Sequence, residues 1–284
     1  MMHRRSLLSL FLLALLPVTA QSAEVPKEKC LAILREGLRS EEFWPAMHAA
    51  EALTLAGEPE EVIAFLTSMQ DEVDDDQQRC GVARELVRAG AREHAEIMLE
   101  ILRGEDPYAH THAAESLYKV GWDGDASVLE KAFAESDDLR LRLMAAAALG
   151  KHTEGEGRDK AFALIRETLR NESDPELYRV AAWILGRIGE PDDCRILRSR
   201  LDDAEDAMTR AYLHNSLAAL GDEEGRRELR ANLESDDPDI RTYAAVFAGD
   251  AGMSEAIPAL IDLLDDEDLD VRVRAAQSLF VLSP

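Results

Sequence analysis

One helical phrase returns about every 31 to 33 residues through most of the chain. A pair of small or apolar residues marks its middle. The pair falls at Ala49-Ala50, Val82-Ala83, Ala113-Ala114, Ala145-Ala146, Ala181-Ala182, Leu213-His214, Ala244-Ala245 and Ala275-Ala276. The first members lie 33, 31, 32, 36, 32, 31 and 31 residues apart. Four residues further on stands Leu53, Leu86, Leu117, Leu149, Leu185, Leu217, Ala248 or Leu279. Leu at seven of eight such positions is too regular for chance. Eight residues after the marker stands Gly57, Gly90, Gly121, Gly189, Gly221 or Gly252, and the fourth unit has Thr153 instead. Glycine there predicts a helix C-terminus closed with positive φ, where a Cβ is unwelcome. An earlier helix opens each unit, as in Ile257, Leu260, Ile261 and Leu264 at i, i+3, i+4 and i+7. Acidic turns join the two helices, at Asp74-Asp75-Asp76, Asp137-Asp138, Asp202-Asp203, Asp236-Asp237 and Asp265-Asp266. Their side chains are predicted to cap the second helix. No segment alternates with period two.

Helix pairs repeating without strands predict an all-α fold, an α-solenoid (α-α superhelix) of about eight pairs over residues 24–284. A single pair cannot bury both its faces, so neighbours stack into one continuous core. The 36-residue interval holds an insertion, Lys151 to Gly157, whose glycines and charges predict a solvent loop. Three residues before the marker stands Arg in five units: Arg79, Arg142, Arg210, Arg241 and Arg272.

The phrase Asp270-Val271-Arg272-Val273-Arg274-Ala275-Ala276-Gln277-Ser278-Leu279, preceded by Ala256 to Leu264, closely resembles a HEAT repeat. It is similar to the short HEAT-like repeat also found in phycobilisome-lyase-type proteins. Tyr178 to Gly189 and Leu141 to Gly150 follow the same pattern, and the resemblance covers about residues 27–282. It implies a scaffold that binds other proteins, with a few enzymes among its relatives. It also implies that the five arginines stack on the acidic turns of adjacent units and fix repeat register. The second helix of each pair is expected to line an extended concave surface.

Composition narrows the partners. Asp and Glu number 57 against 32 Lys and Arg, a net charge of −25. Such an excess opposes binding to nucleic-acid phosphates, which takes surplus Lys and Arg. The N-terminus reads as a secretory signal peptide over residues 1–23. Met1 to Arg5 is basic, Ser6 to Leu16 is uncharged and leucine-rich, and Ala20 and Ala23 are candidate cleavage positions. The apolar stretch is too short to span a bilayer. A periplasmic or secreted location follows, with no membrane span in the mature chain. Cys30, Cys80 and Cys194 lie far apart and form no metal motif; three small buried hydrophobes are expected.

The expected concave face takes the residues one before and two after the marker. These are His48 and Glu51, Arg84, His112 and Glu115, and Trp183. In the last three units they are Tyr212 and Asn215, Tyr243, and Arg274 and Gln277. Mixed polar and aromatic character suits recognition of a protein partner. The net charge favours a basic or mixed-charge one. Deoxyhypusine hydroxylases resemble this pattern and build a di-iron site from His-Glu dipeptides. None of the seven histidines here precedes Glu. The nearest echoes, His48 with Glu51 and His112 with Glu115, sit two units apart, roughly 20 Å at 8–10 Å per stacked helix. No cofactor or metal is therefore assigned. Neither a phosphate loop, a nucleophile elbow nor a Cys-x-x-Cys appears, and no catalytic residue can be named. The expected function is a non-catalytic exported interaction scaffold. The alternative is a metal-binding HEAT-like enzyme of the hydroxylase or lyase type.

Overall fold

The structure, a computed structural model, describes residues 24–283. The segment read as an export signal lies outside the described residues. Among the described residues sixteen α-helices follow one another, with short 3-10 turns and no strand. They form eight pairs. The first helices are α1 (Lys27–Leu38), α3 (Pro59–Met69), α5 (Ala95–Arg103), α7 (Ser127–Glu135), α9 (Glu156–Asn171), α11 (Cys194–Arg200), α13 (Glu223–Asn232) and α15 (Ile257–Asp262). The second helices are α2 (Phe43–Leu55), α4 (Asp76–Arg88), α6 (His110–Val120), α8 (Leu139–His152), α10 (Pro175–Ile188), α12 (Ala207–Ala219), α14 (Pro238–Asp250) and α16 (Leu269–Leu282).

Aspartate starts most of the second helices. The carboxylates of Asp75, Asp138, Asp174, Asp206, Asp237 and Asp268 accept backbone N–H groups of the first turn. Two expected caps are displaced. Asp206 rather than Asp202-Asp203 caps α12, and Asp268 rather than Asp265-Asp266 caps α16. Glycine closes five units at positive φ: Gly57, Gly90, Gly121, Gly221 and Gly252. Gly189 departs from that expectation with φ −76°. It is needed for space instead, because a Cβ there would lie 2.4 Å from the Leu185 carbonyl oxygen.

The second helices form a closed ring. Each packs on the next from α2 to α16, and α16 then packs on α1 and α2. The expected α-solenoid is thus closed on itself, and its concave face is the inner wall of a ring. The physical reason lies at the two ends. A solenoid that ends in solvent carries polar capping units. Here α1 buries Cys30, Leu34 and Leu38, and α16 buries Val271, Val273 and Leu279. Among the described residues neither end has a polar cap, and each covers the other. Cys30, Leu34 and Leu53 consequently share one apolar core with Leu260, Val273 and Leu279. Polar contacts cross the same seam: Lys29 Nζ to Asp265 Oδ1 at 2.6 Å, and Arg272 Nη2 to Glu36 Oε1 at 3.4 Å.

Small residues make the ring tight. The alanines of the marker pairs are almost wholly buried. At Gly37 an added Cβ would meet Val273 Cγ2 at 2.8 Å, so glycine permits the close approach of α1 and α16. Gly186 against Ser216 and Gly249 against Ser278 do the same for α10 with α12 and for α14 with α16.

Lys151 to Gly157 is solvent-exposed at all but Thr153, as its composition suggests, but only Thr153 to Gly155 is loop. Helix α8 runs on through His152 and α9 starts at Glu156. Lys151 Nζ donates to the carbonyls of Tyr118 and Lys119, and His152 Nε2 lies 2.9 Å from the Tyr118 carbonyl oxygen. These contacts cover the carbonyl end of α6, where positive charge is favourable. The arginine row is corrected too. Arg241 does reach Asp266 of the following unit. Arg142 and Arg210, however, donate to carbonyls of their own units, and Arg79 pairs with Asp76 beside it. Successive units are tied by another set, including Arg35 to Glu61, Arg92 to Asp123, Arg166 to Asp193 and Arg226 to Glu255. Exposed pairs of this kind are worth ~0–1 kcal/mol each, so burial sets the stability. Leu185 is fully buried in a second apolar core, built by the middle units. Leu185→Ala should cost about 2–5 kcal/mol by leaving a cavity, measured as a shift in urea midpoint.

Candidate functional site

The ring encloses a lumen of about 820 Å³, and all its lining residues come from the second helices or their C-caps. Helical spacing selects them. On α10 the lining residues Glu176, Val180, Trp183 and Arg187 follow i, i+4, i+7 and i+11, one face of a helix. Helices α2, α14 and α16 repeat the pattern, for example with Trp44, His48 and Glu51.

Ten of the eleven residues expected on the concave face line this lumen; Asn215 does not. It is fully buried, and its Oδ1 accepts from Asn232 Nδ2 of α13 at 3.0 Å. Helix α12 packs broadly on α13, and Asn215 lies in that contact. The ring is tight enough that several of the others are packed rather than displayed. Arg84, Arg274 and Gln277 are buried. Tyr212 lies beneath Tyr243, ring centroids 4.6 Å apart, and only Tyr243 is exposed. Trp44 also lines the lumen and is exposed.

Side chains from alternate units meet inside the ring. Trp44 of the first unit stacks on His112 of the third, centroids 5.6 Å apart. Tyr118 of the third unit meets Trp183 of the fifth edge-on at 5.4 Å. Arg187 of the fifth pairs with Asp250 of the seventh at 2.9 Å and lies over Trp183 and Phe247. The separation of roughly 20 Å expected between the first and third units holds for a straight stack. Trp44 spans it to reach His112, because the closed ring turns the inner faces toward each other. Even so, no group of three His, Cys, Asp or Glu gathers as metal ligands among the described residues.

A charged network joins the first unit to the last. Arg274 Nη1 donates to Glu51 Oε2 at 2.9 Å and to Gln277 Oε1 at 2.6 Å. Arg88 Nη2 approaches Glu51 Oε1 at 3.1 Å without the alignment of a hydrogen bond, while its Nε donates to Glu85. His48 Nδ1 lies 2.7 Å from Asp270 Oδ1. Lys119 Nζ pairs with Glu115 Oε1 at 2.7 Å. Burial alone would raise both glutamates. Arg88 and Arg274 nevertheless hold Glu51 well below the usual range, and Lys119 and Arg84 hold Glu115 at about 2. Burial lowers His48, aided by Arg274 and opposed by Asp270. Burial would raise Asp270, but the hydrogen bond from His48 lowers it.

Stability should therefore fall in acid. A carboxylate depressed in the fold stabilises fully above its unfolded value and loses that contribution as pH drops toward its folded value. For Glu115 the loss runs from about 4.5 down to about 2, Glu51 and Asp270 lose theirs as pH falls below their ordinary carboxylate values, and His48, lowered by burial, adds to the loss below about 6.5. Urea midpoints recorded from pH 7 to pH 3 should decline over that window. In Glu115→Gln the decline should be shallower.

Cys30 and Cys80 are buried free thiols, raised by burial to about 11 and about 12. Cys194 is free and half-buried. Sequence reasoning missed two rows of lumen residues: Trp44, Arg140, Glu176, Asp239 and Asp270, five places before the marker, and Arg88, Lys119, Lys151 and Arg187, six places past it. Those registers were legible and each only needed one more helical turn.

The family model for HEAT repeats matches residues 140–218 and 205–279. The chain belongs to the HEAT-repeat family. A solved structure of human deoxyhypusine hydroxylase in complex with glycerol is similar at 20% identity, over 90% of this chain and 96% of that one, with a TM-score of 0.43. No curated protein matches the sequence. Among the described residues of this HEAT-repeat chain no helix is long and apolar enough to cross a membrane.

Proposed function

We propose that this HEAT ring is a non-catalytic, exported binding protein whose recognition surface is the wall of its lumen. One observation carries the reading. Trp44 and Tyr243, large and exposed, stand among mixed charges on an inward face. Aromatic anchors ringed by polar groups are what recognition surfaces use. Because the ring is closed, a partner protein is engaged by a segment that enters the lumen. A folded domain lying in a groove does not fit this shape. The lumen offers eight Lys or Arg and six Asp or Glu, which suits a mixed-charge segment.

Affinity capture from the native envelope fraction tests this reading, using bait whose intact mass establishes its first residue. Trp44→Ala/Tyr243→Ala should lose the captured partner while keeping wild-type helix content. Retention of the partner would remove the lumen as the recognition surface. Stoichiometric iron or zinc in purified protein would replace the reading with a metal-dependent one.

A further inference from the structure

Arg88, Lys119, Lys151 and Arg187 occupy one register position in four consecutive units, and all four line the lumen. Each stands in the last turn of its helix. A basic last turn favours the helix dipole from any side of the helix. Dipole stabilisation thus explains one base per helix but not four turned inward. Arg274 adds a fifth cation close by, through its shared contact with Glu51. With Arg84, six cations stand here against four carboxylates, Glu51, Glu85, Glu115 and Asp250, Glu85 being shared by Arg84 and Arg88. Lys151 donates only to backbone carbonyls. This surplus runs against a chain of net charge −25.

The donors are also underused. Arg274 is more than nine-tenths buried and its Nε has no acceptor. Nη1 of Arg187 and Nη2 of Arg88 are buried and lack an aligned acceptor as well. Buried donors without acceptors cost free energy that an arriving acceptor recovers. Aromatic surface adjoins them, since Trp183 lies beside both Lys119 and Arg187.

We infer that this end of the lumen binds a carboxylate carried on an aromatic or apolar body. The inference rests on the lumen being the recognition surface. Guanidinium groups match the planar carboxylate. A more highly charged phosphate meets Glu51, Glu115 and Asp250 in the same layer. The lumen volume lies in the range of small-molecule sites. A free organic acid and the C-terminal end of a peptide segment share this chemistry.

Two probe pairs separate the sources. Indole-3-propionate is compared with indole-3-propionamide, and acetyl-Gly-Gly-Trp as free acid with its amide, each titrated into the full mature chain by calorimetry. At least one acid should bind saturably, more weakly as salt rises, with its amide about tenfold weaker. Binding by the indole acid alone assigns a small molecule; binding by the peptide acid alone assigns a chain end. Arg187→Gln should weaken the acid about tenfold, whereas Arg140→Gln, at the opposite end of α8, should change it less than about twofold. Lys151→Gln, which breaks no ion pair, serves if Arg187→Gln unfolds. The inference is overturned if neither acid binds, if an amide binds as tightly as its acid, or if Arg187→Gln and Lys151→Gln leave affinity unchanged. In those cases a partner still lost on replacing Trp44 and Tyr243 would keep the lumen as the recognition surface.

Discussion

Val273→Asp should open the ring and cost about 3–5 kcal/mol, as an unpaired charge buried in a core does. Val273 is fully buried on α16, and its Cγ2 faces Gly37 across the junction of the first and last units. Its apolar neighbours there come from both ends of the chain. Two measurements check the expectation: the urea midpoint should fall and the scattering radius of the remaining folded protein should rise. Val281→Asp is the control. Val281 lies in the same helix but is 46% exposed, so the same charge should shift stability by less than about 0.5 kcal/mol. Equal effects at the two positions would place Val273 outside the core.

Glu51→Ala should be the second severe change. Its carboxylate stands between Arg274 of the last unit and Arg88 of the second. All three side chains are largely buried, with exposures of 16%, 9% and 18%. Removing one member of such a set leaves the others uncompensated and typically costs about 3–5 kcal/mol. Replacing the cation as well should restore part of the loss. In a cycle with Arg274→Met the double variant should be more stable than the sum of the two single losses predicts. Additive losses would show that the two residues do not interact, and with them the ionic link across the junction would go.

Most of the fold was legible because its determinants are local. The marker pair, the Leu four residues later and the closing Gly report one helix each, and every unit repeats them. Ring closure was not legible in the same way. It depends on curvature accumulated over eight units, and no single unit encodes that sum. One trace of it does lie in the sequence. Cys30, Leu34 and Leu38 at one end and Val271, Val273 and Leu279 at the other are as apolar as internal units, where a solenoid open to solvent needs polar caps. The candidate surface followed from helical spacing, which put ten of its residues on the lumen wall and failed at Asn215. Spacing gives a side chain's direction but not the room left for it. Thus Tyr212 and Arg274 pointed the right way and are nevertheless packed by their neighbours. The Lys151 to Gly157 stretch misled only in the extent of its loop, for another reason. Its charge and glycine suit a loop, yet Lys151 and His152 find acceptors on α6 that keep the helix going.

The closed ring is the central claim, and a distance across its junction tests it most directly. Spin labels on ketone side chains introduced at positions 29 and 265 leave the three native thiols untouched. Lys29 Nζ and Asp265 Oδ1 lie 2.6 Å apart. Pulsed electron resonance should therefore give one short, narrow distance set by the label arms. An open arc of eight units spaced ~10 Å apart would place the labels roughly 70 Å from each other. A distribution centred there would contradict the ring.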